Sequence, residues 1–324
     1  MTLLRSRTND FIALVAATSQ HFGIPEQAFV EKDYWVVELL RSLAEPLTVT
    51  GHDFPAIVFK GGTSLSKGWG LVQRFSEDVD ILAVPAAGMS KNAIDKHVFK
   101  PLIARAGRDL GLASDKVLGD PFRQSGKTHN ATYLYQAHMP ATLPLKDGVF
   151  LEMGVRGGTE PGNKTLHIRS YIAEYLEAVG EGGEFTEEAP VVVSVLAPVR
   201  TLFEKLSAVH TAATDPAEAG KLATIGRHYY DIHALLNHPE TRLVLETCNR
   251  GAIVTDIGNV CGSNNFAYEA PPTTGYAASA AFDVATQQCA AASASYATAS
   301  TLFYGTPPSF DQCLTSVAAA RDLL

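Results

Sequence analysis

The sequence predicts an α+β protein: a domain built on a mixed sheet over residues 1–180, then a mainly helical domain over residues 190–324. Three features predict it. A short β-branched run at 56–59 (Ala-Ile-Val-Phe) ends on a Gly-Gly turn, and a second strand pattern follows at 74–82. Residues 177–190 hold Gly180, Gly182, Gly183 and five glutamates, the composition of a flexible linker. Beyond Pro198 the apolar spacing is helical, and from Gly251 on alanine and serine dominate. Small-residue helices pack closely, so a tight bundle is expected there, anchored by aromatic residues such as Tyr276, Phe282, Tyr296 and Phe303.

Taken in order, residues 8–22 read as an amphipathic helix capped by Thr8 or Asn9 and stopped at Gly23. Pro25 suits the first turn of a second helix running to about Ala44. Its apolar stripe is Trp35, Val36, Leu39 and Leu40, leaving Glu31, Lys32 and Asp33 to face outward or toward a cleft. Residues 91–112 read as a helix opening a basic stretch: Lys100, Arg105, Arg108, Lys116, Arg123 and Lys127. That clustering suits a polyanionic acceptor, or equally one solvated helix face. Strands follow at 132–137 and 149–155, and a short strand or extended lead-in at 191–196. The chain of 324 residues is 46% apolar and 19% charged, ordinary for a globular protein with a sizeable core. Its net charge of −8 excludes a general nucleic-acid coat but not a local basic groove. The apolar stretch at 11–17 is too short to span a bilayer, and no signal peptide precedes it. All four cysteines lie in the last third without a CxxC pair, which suits buried free thiols in a reducing cytoplasm.

The chemistry concentrates in residues 60–82, KGGTSLSKGWGLVQRFSEDVDIL. Gly61 and Gly62 let the backbone turn sharply and approach a ligand without a Cβ in the way. Thr63 and Ser64 offer hydroxyls and a helix cap, so backbone N–H groups there can meet a phosphate. A short helix is expected from about Leu65 to Val72. Period-two alternation then puts Asp78 and Asp80 on one strand face and Val79 and Ile81 in the core. Two adjacent carboxylates repel unless a cation sits between them, and hard oxygen ligands suit Mg²⁺. A P-loop is excluded, since GxxxxGK[ST] begun at Gly61 meets Ser66 and Gly68 at positions that need Gly and Ser/Thr. Gly-Gly-Thr-Ser followed by Asp-x-Asp resembles the DNA polymerase β-like nucleotidyltransferase fold. That fold takes a third metal carboxylate from a later strand, which makes Glu152, in an apolar run, the candidate. A pair with Arg156 is the alternative.

In the second half, Leu202, Leu206 and Val209 form a helical core stripe with Lys205 at its edge, able to snorkel or to bind phosphate. Asp231 lies on an apolar face with Leu235 and His228, and Lys205 is its natural partner.

The residues 31–35 (Glu-Lys-Asp-Tyr-Trp), 59–67 (Phe-Lys-Gly-Gly-Thr-Ser-Leu-Ser-Lys), 74–80 (Arg-Phe-Ser-Glu-Asp-Val-Asp), 151–156, 204–206 (Glu-Lys-Leu) and 227–231 (Arg-His-Tyr-Tyr-Asp) together resemble one family. This is the AbiEii/AbiGii-type nucleotidyltransferase toxins of bacterial toxin–antitoxin and phage-defence loci, which include the MenT toxins. The resemblance implies Asp78 and Asp80 as Mg²⁺ ligands, with Lys205 and Asp231 as further active-site residues. It implies Gly62, Ser64 and Ser76 around the nucleotide phosphates, joined by Gly61, Thr63 and Lys67 of the same motif. It also implies an NTP substrate, an RNA acceptor such as the tRNA 3′ end, a co-encoded antitoxin and work in the cytoplasm. The alternatives are nucleotidylation of a protein side chain, or a partner-binding protein without catalysis. Intact paired carboxylates argue against the last. The charge-poor, alanine-rich last third departs from the family pattern and leaves the acceptor open.

Overall fold

The computed structural model describes residues 2–49, 52–54, 57–84, 88–120, 126–143, 145–155, 157–158 and 160–324. Arg123, Arg156 and Ala56, used above, lie outside them. The chain divides into two compact units, and neither is continuous in sequence. The first is Met1–Gly68, Ser76–Val155 and Lys164–Val195; the second is Trp69–Phe75, Arg156–Asn163 and Leu196–Leu324.

The first unit opens with α1 (Thr8–Phe22), ended as expected by Gly23 in the left-handed region, and α2 (Gln27–Ala44). The first helix starts at Thr8, so its N-cap position falls to Arg7. Helix α2 is buried on nearly all sides, the mark of a helix inside a core rather than on one. Glu31, Lys32 and Asp33, expected to face outward or toward a cleft, are therefore buried, and Glu31 and Lys32 line a cleft. Each is tolerated because it is partnered.

A small antiparallel pair, β1 (Leu47–Val49) and β2 (His52–Phe54), precedes the main strands. These are β3 (Ile57–Lys60), β4 (Asp78–Ala83), β5 (Val117–Gly119), β6 (Ala131–Tyr133), β7 (Val149–Gly154), β8 (Asn163–Ile168) and β9 (Val191–Leu196). Among the described residues they form one seven-stranded mixed sheet in the order β5-β6-β7-β4-β3-β9-β8. β4 is central, antiparallel to β3 and parallel to β7. Its register sets Asp80 opposite Lys60 on one side and Glu152 on the other. The unit's remaining helices are α3 (Gly61–Thr63), α4 (Lys91–Ile94), α5 (Lys100–Asp109) and α6 (Tyr171–Val179). Arg105, from the expected basic cluster, donates to the carbonyls of Ser42 in the last turn of α2 and of Glu45 and Pro46 just past its end.

Three expectations change here. The helix foreseen at 65–72 instead leaves β3 directly: α3 runs into a π turn at Ser64–Gly68, and Gly68 packs on Leu166 and Val195. The strand foreseen from Arg74 starts at Asp78, because Trp69–Phe75 belongs to the other unit. The boundary placed at 180–190 falls at 195/196. The glutamate-rich stretch is tied down: Glu187 is buried and accepts from the Leu4 N–H and the Tyr34 hydroxyl, and β9 joins the sheet beside β3.

The second unit is helical: α7 (Pro198–Thr214), α8 (Gly226–Asn237), α9 (Pro239–Thr247), α10 (Arg250–Asn264), α11 (Gln287–Ala299) and α12 (Phe310–Ala319). Pro198 opens α7, where its missing N–H costs nothing. The alanine-rich third packs around aromatic anchors, with Tyr276 fully buried and the Tyr230 and Phe303 rings stacked 4.5 Å apart. Residues 69–75 are stitched into this unit: the Gln73 N–H donates to the Tyr230 hydroxyl and the Phe75 N–H to the Leu302 carbonyl. Cys261, Cys289 and Cys313 are buried free thiols, as expected, and Cys248 is half-buried.

Candidate active site

In the first unit the site is one face of β4 and what surrounds it. Val79 and Ile81 point into the core, so Asp78 and Asp80 share the other face, half-buried. On β7 the same alternation buries Val149, Leu151 and Met153, which turns Glu152 to the carboxylate face. Glu152 is paired with Asp80 in register, but it is exposed rather than buried among apolar residues. Alternation on a sheet with one solvated face explains the difference.

The glycine turn presses on this face. Gly61 has φ +74°, and a Cβ there would lie 1.9 Å from Asp80 Oδ2. Both the conformation and the space demand glycine. Gly62, Thr63 and Ser64 are buried. The Thr63 hydroxyl bonds Ser76 Oγ at 2.8 Å and donates to the Asp78 carbonyl, while Ser64 Oγ donates to the Gly61 carbonyl at 2.9 Å. These hydroxyls thus fasten the turn to the start of β4. Ser76 is half-buried and continues the alternation of Asp78 and Asp80. Lys67 is engaged elsewhere: Nζ lies 3.1 Å from Asp33 Oδ1, 3.3 Å from Glu174 and over the Tyr171 ring.

Glu77, on the opposite face, anchors a loop. Its Oε2 accepts from Lys32 Nζ (2.7 Å) and from the Lys146 N–H (2.9 Å), and Lys32 also donates to the Lys146 carbonyl. The backbone of Lys146 is so fixed that its side chain, 60% exposed, brings Nζ to 3.2 and 3.4 Å from the two Asp78 oxygens.

Among the described residues no three His, Cys, Asp or Glu side chains close around one metal position. The donor set nevertheless fits Mg²⁺. It is all carboxylate oxygen, on a rigid strand, with a side-chain-free cradle at Gly61 and a lysine ammonium already drawn to Asp78.

In the second unit the structure joins Lys205 and Asp231, with Nζ 2.8 Å from Oδ2. Arg74 adds a bidentate clamp on the same carboxylate at 2.6 and 2.8 Å. Asp231 is 0% exposed. Burial alone would raise its carboxyl, but Arg74 and Lys205 hold it well below the usual carboxylate range. Burial pushes the Lys205 ammonium down despite Asp231. His228 is half-buried with Nδ1 sealed off, and burial, then Lys205, depress its basicity strongly.

A family model described as "Nucleotidyl transferase AbiEii toxin, Type IV TA system" matches residues 43–315. The chain belongs to the AbiEii family. It is thus a nucleotidyltransferase-type toxin of a toxin–antitoxin system, which implies a nucleotide substrate and a co-encoded antitoxin. Among solved structures the AbiEii chain is similar to MenT4, a nucleotidyltransferase toxin from Mycobacterium tuberculosis H37Rv. The identity is 15% and the TM-score 0.50, with 95% of this chain and 97% of that chain covered. At that identity the likeness bears on the fold. No curated protein matches by sequence. No helix among the described residues is long and apolar enough to cross a membrane.

Two residues, one in each unit, escaped the sequence reading. Arg74 left a signal: Asp231 on an apolar face beside a single lysine is a buried acid that still has lone pairs to satisfy. Lys146 left almost none, since nothing local says where a loop lysine points.

Proposed function

We propose that this AbiEii protein transfers a nucleoside monophosphate from an NTP to an RNA acceptor, the 3′ end of tRNA, and so blocks translation in the cytoplasm. One observation carries the reading: Asp78 and Asp80 side by side on a strand face, against a glycine turn that excludes any Cβ. Asp78 and Asp80, joined by Glu152, would hold Mg²⁺, which when bound offsets triphosphate charge and eases loss of the acceptor hydroxyl's proton. The acceptor oxygen bonds to the α-phosphorus in line as the bond to pyrophosphate breaks; the hydroxyl proton is lost and pyrophosphate leaves. Gly61 and Gly62 admit the phosphates to the backbone, with Ser76 beside them. Thr63, Ser64 and Lys67 act as positioning residues, since their polar atoms hold the turn and its helix in place. Lys205 meets negative charge developing on the phosphates, and Asp231, itself fixed by Arg74, orients Lys205.

The test is transfer of label from each α-labelled NTP, with Mg²⁺, to total RNA and to total protein. Label in a discrete small-RNA band, lost in Asp80→Ala, is expected. Label in protein alone would move the reading to side-chain nucleotidylation, and transfer that survives Asp80→Ala would remove the carboxylates from the chemistry.

A further inference from the structure

Within the first unit the loop between β6 and β7 and the helix α2 line a cleft of about 400 Å³, joined to the carboxylate face through Lys146. Its lining includes Glu31, Tyr135, Met139, Leu145, Lys146 and Asp147. We infer that this cleft is the acceptor subsite and receives the terminal nucleoside of the acceptor RNA. The inference rests on the nucleotidyl-transfer reading above and extends it to the second substrate.

Sheet order supplies the first reason. β4 has β3 on one side and β7 on the other. The glycine turn leaves the end of β3 beside Asp80, whereas the cleft's loop runs into β7 beside Asp78. In an in-line displacement, attacking and leaving oxygens lie on opposite sides of phosphorus. With the pyrophosphate of the donor at the glycine turn, the attacking hydroxyl then comes from the β7 side, the side of the loop that lines the cleft.

The lining supplies the second. The volume lies in the range of small-ligand pockets and suits one nucleoside. Tyr135 is a preset aromatic wall, stacked on Trp35 at 5.0 Å with 15° between the planes. Such a face takes a base by stacking. Glu31 is not a loose acid there: both its oxygens accept from the His138 and Met139 backbone N–H groups, which fixes the far wall.

Lys146 supplies the third. It lines the cleft and also reaches Asp78, and the Lys32–Glu77 pair holds its backbone by both N–H and C=O. A cation fixed at that border is placed for the phosphate that precedes the attacking sugar, and binding it draws the ammonium off Asp78.

Ala137 and Ala141 line the cleft and are exposed, so bulk there is compatible with folding. In Ala137→Trp and Ala141→Trp, the KM for the RNA acceptor should rise about tenfold or more while the KM for NTP stays within about twofold. Melting curves are taken on both variants. An unchanged acceptor KM in both folded variants overturns the inference, as does a rise in the NTP KM instead, which would make the cleft a donor-base site. Both of those outcomes leave the transfer reaction standing. Wild-type transfer to protein alone, or no transfer at all, overturns the underlying reading together with the cleft.

Discussion

At the scale of single residues, Gly61 is the most constrained position of the site. Gly61→Ala must relieve a Cβ set 1.9 Å from Asp80 Oδ2 and a φ of +74°. The expected cost is about 1–3 kcal/mol of stability, with transfer activity falling far more than the melting temperature does. Equal activity in Gly61→Ala would show that Asp80 tolerates displacement. Lys205 and Asp231 invite a second comparison. Without Lys205, Asp231 still keeps both hydrogen bonds from Arg74. Lys205→Ala should therefore melt near the wild type yet lose transfer. Asp231→Ala strands two buried cations and should cost about 3–5 kcal/mol in denaturant titration. If Lys205→Ala proves active once folded, the lysine is structural. His228 sets a pH dependence. Unfolded, its ring takes a proton near the ordinary 6.5; folded, burial and then Lys205 resist it, with Arg227 and Arg74 adding to the opposition and Asp231 against them. The stability His228 contributes is thus present above pH 6.5 and lost as pH falls below it, by at most about 1.4 kcal/mol per pH unit. Thermal melts from pH 7.5 to 5.5 should drop more steeply for the wild type than for His228→Gln. Parallel curves would remove the histidine from the acid response. What was legible at this scale was the type of residue: carboxylates in alternation, and a buried acid in need of a cation. What was not legible was commitment. The sequence does not say that Lys67 lies against Asp33, because that contact joins residues far apart in the chain.

At the scale of elements, α2 departs most from its sequence pattern. Its Glu31, Lys32 and Asp33 look like a solvated face, yet each fastens a different segment. Glu31 holds the loop at His138–Met139, Lys32 holds Glu77 and the Lys146 carbonyl, and Asp33 holds Lys67 and the Tyr171 N–H that opens α6. Burial raises the Glu31 and Asp33 carboxyls while those hydrogen bonds oppose the rise. Lys32→Met removes the cation from Glu77 and a donor from the Lys146 carbonyl. A loss of about 3–5 kcal/mol is expected, read as a lower denaturant midpoint with the slope unchanged. A midpoint within experimental error of wild type would mean that water replaces the ammonium. Strands β4 and β7 were legible because alternation is a local pattern. The three-residue β5 and the polar β8 were not foreseen, since strands of few apolar residues gain their stability from neighbours.

At the scale of the whole molecule, the α+β class and the helical second half were legible, and the division between units was not. A glycine- and glutamate-rich stretch has the composition of a linker, but Glu187 is buried and β9 lies beyond it in the sheet. Composition reports what a segment tolerates; partnership decides where it sits. The stitching of Trp69–Phe75 into the second unit has a further consequence. A ribosome delivers Arg74 long before Asp231, and Gly61 long before β9. The first unit cannot close its sheet until residue 196 has emerged, and the second cannot neutralise Asp231 without a segment made much earlier. A chain terminated before residue 191 thus lacks the strand beside β3, and one terminated before residue 231 lacks the carboxylate that Arg74 and Lys205 share.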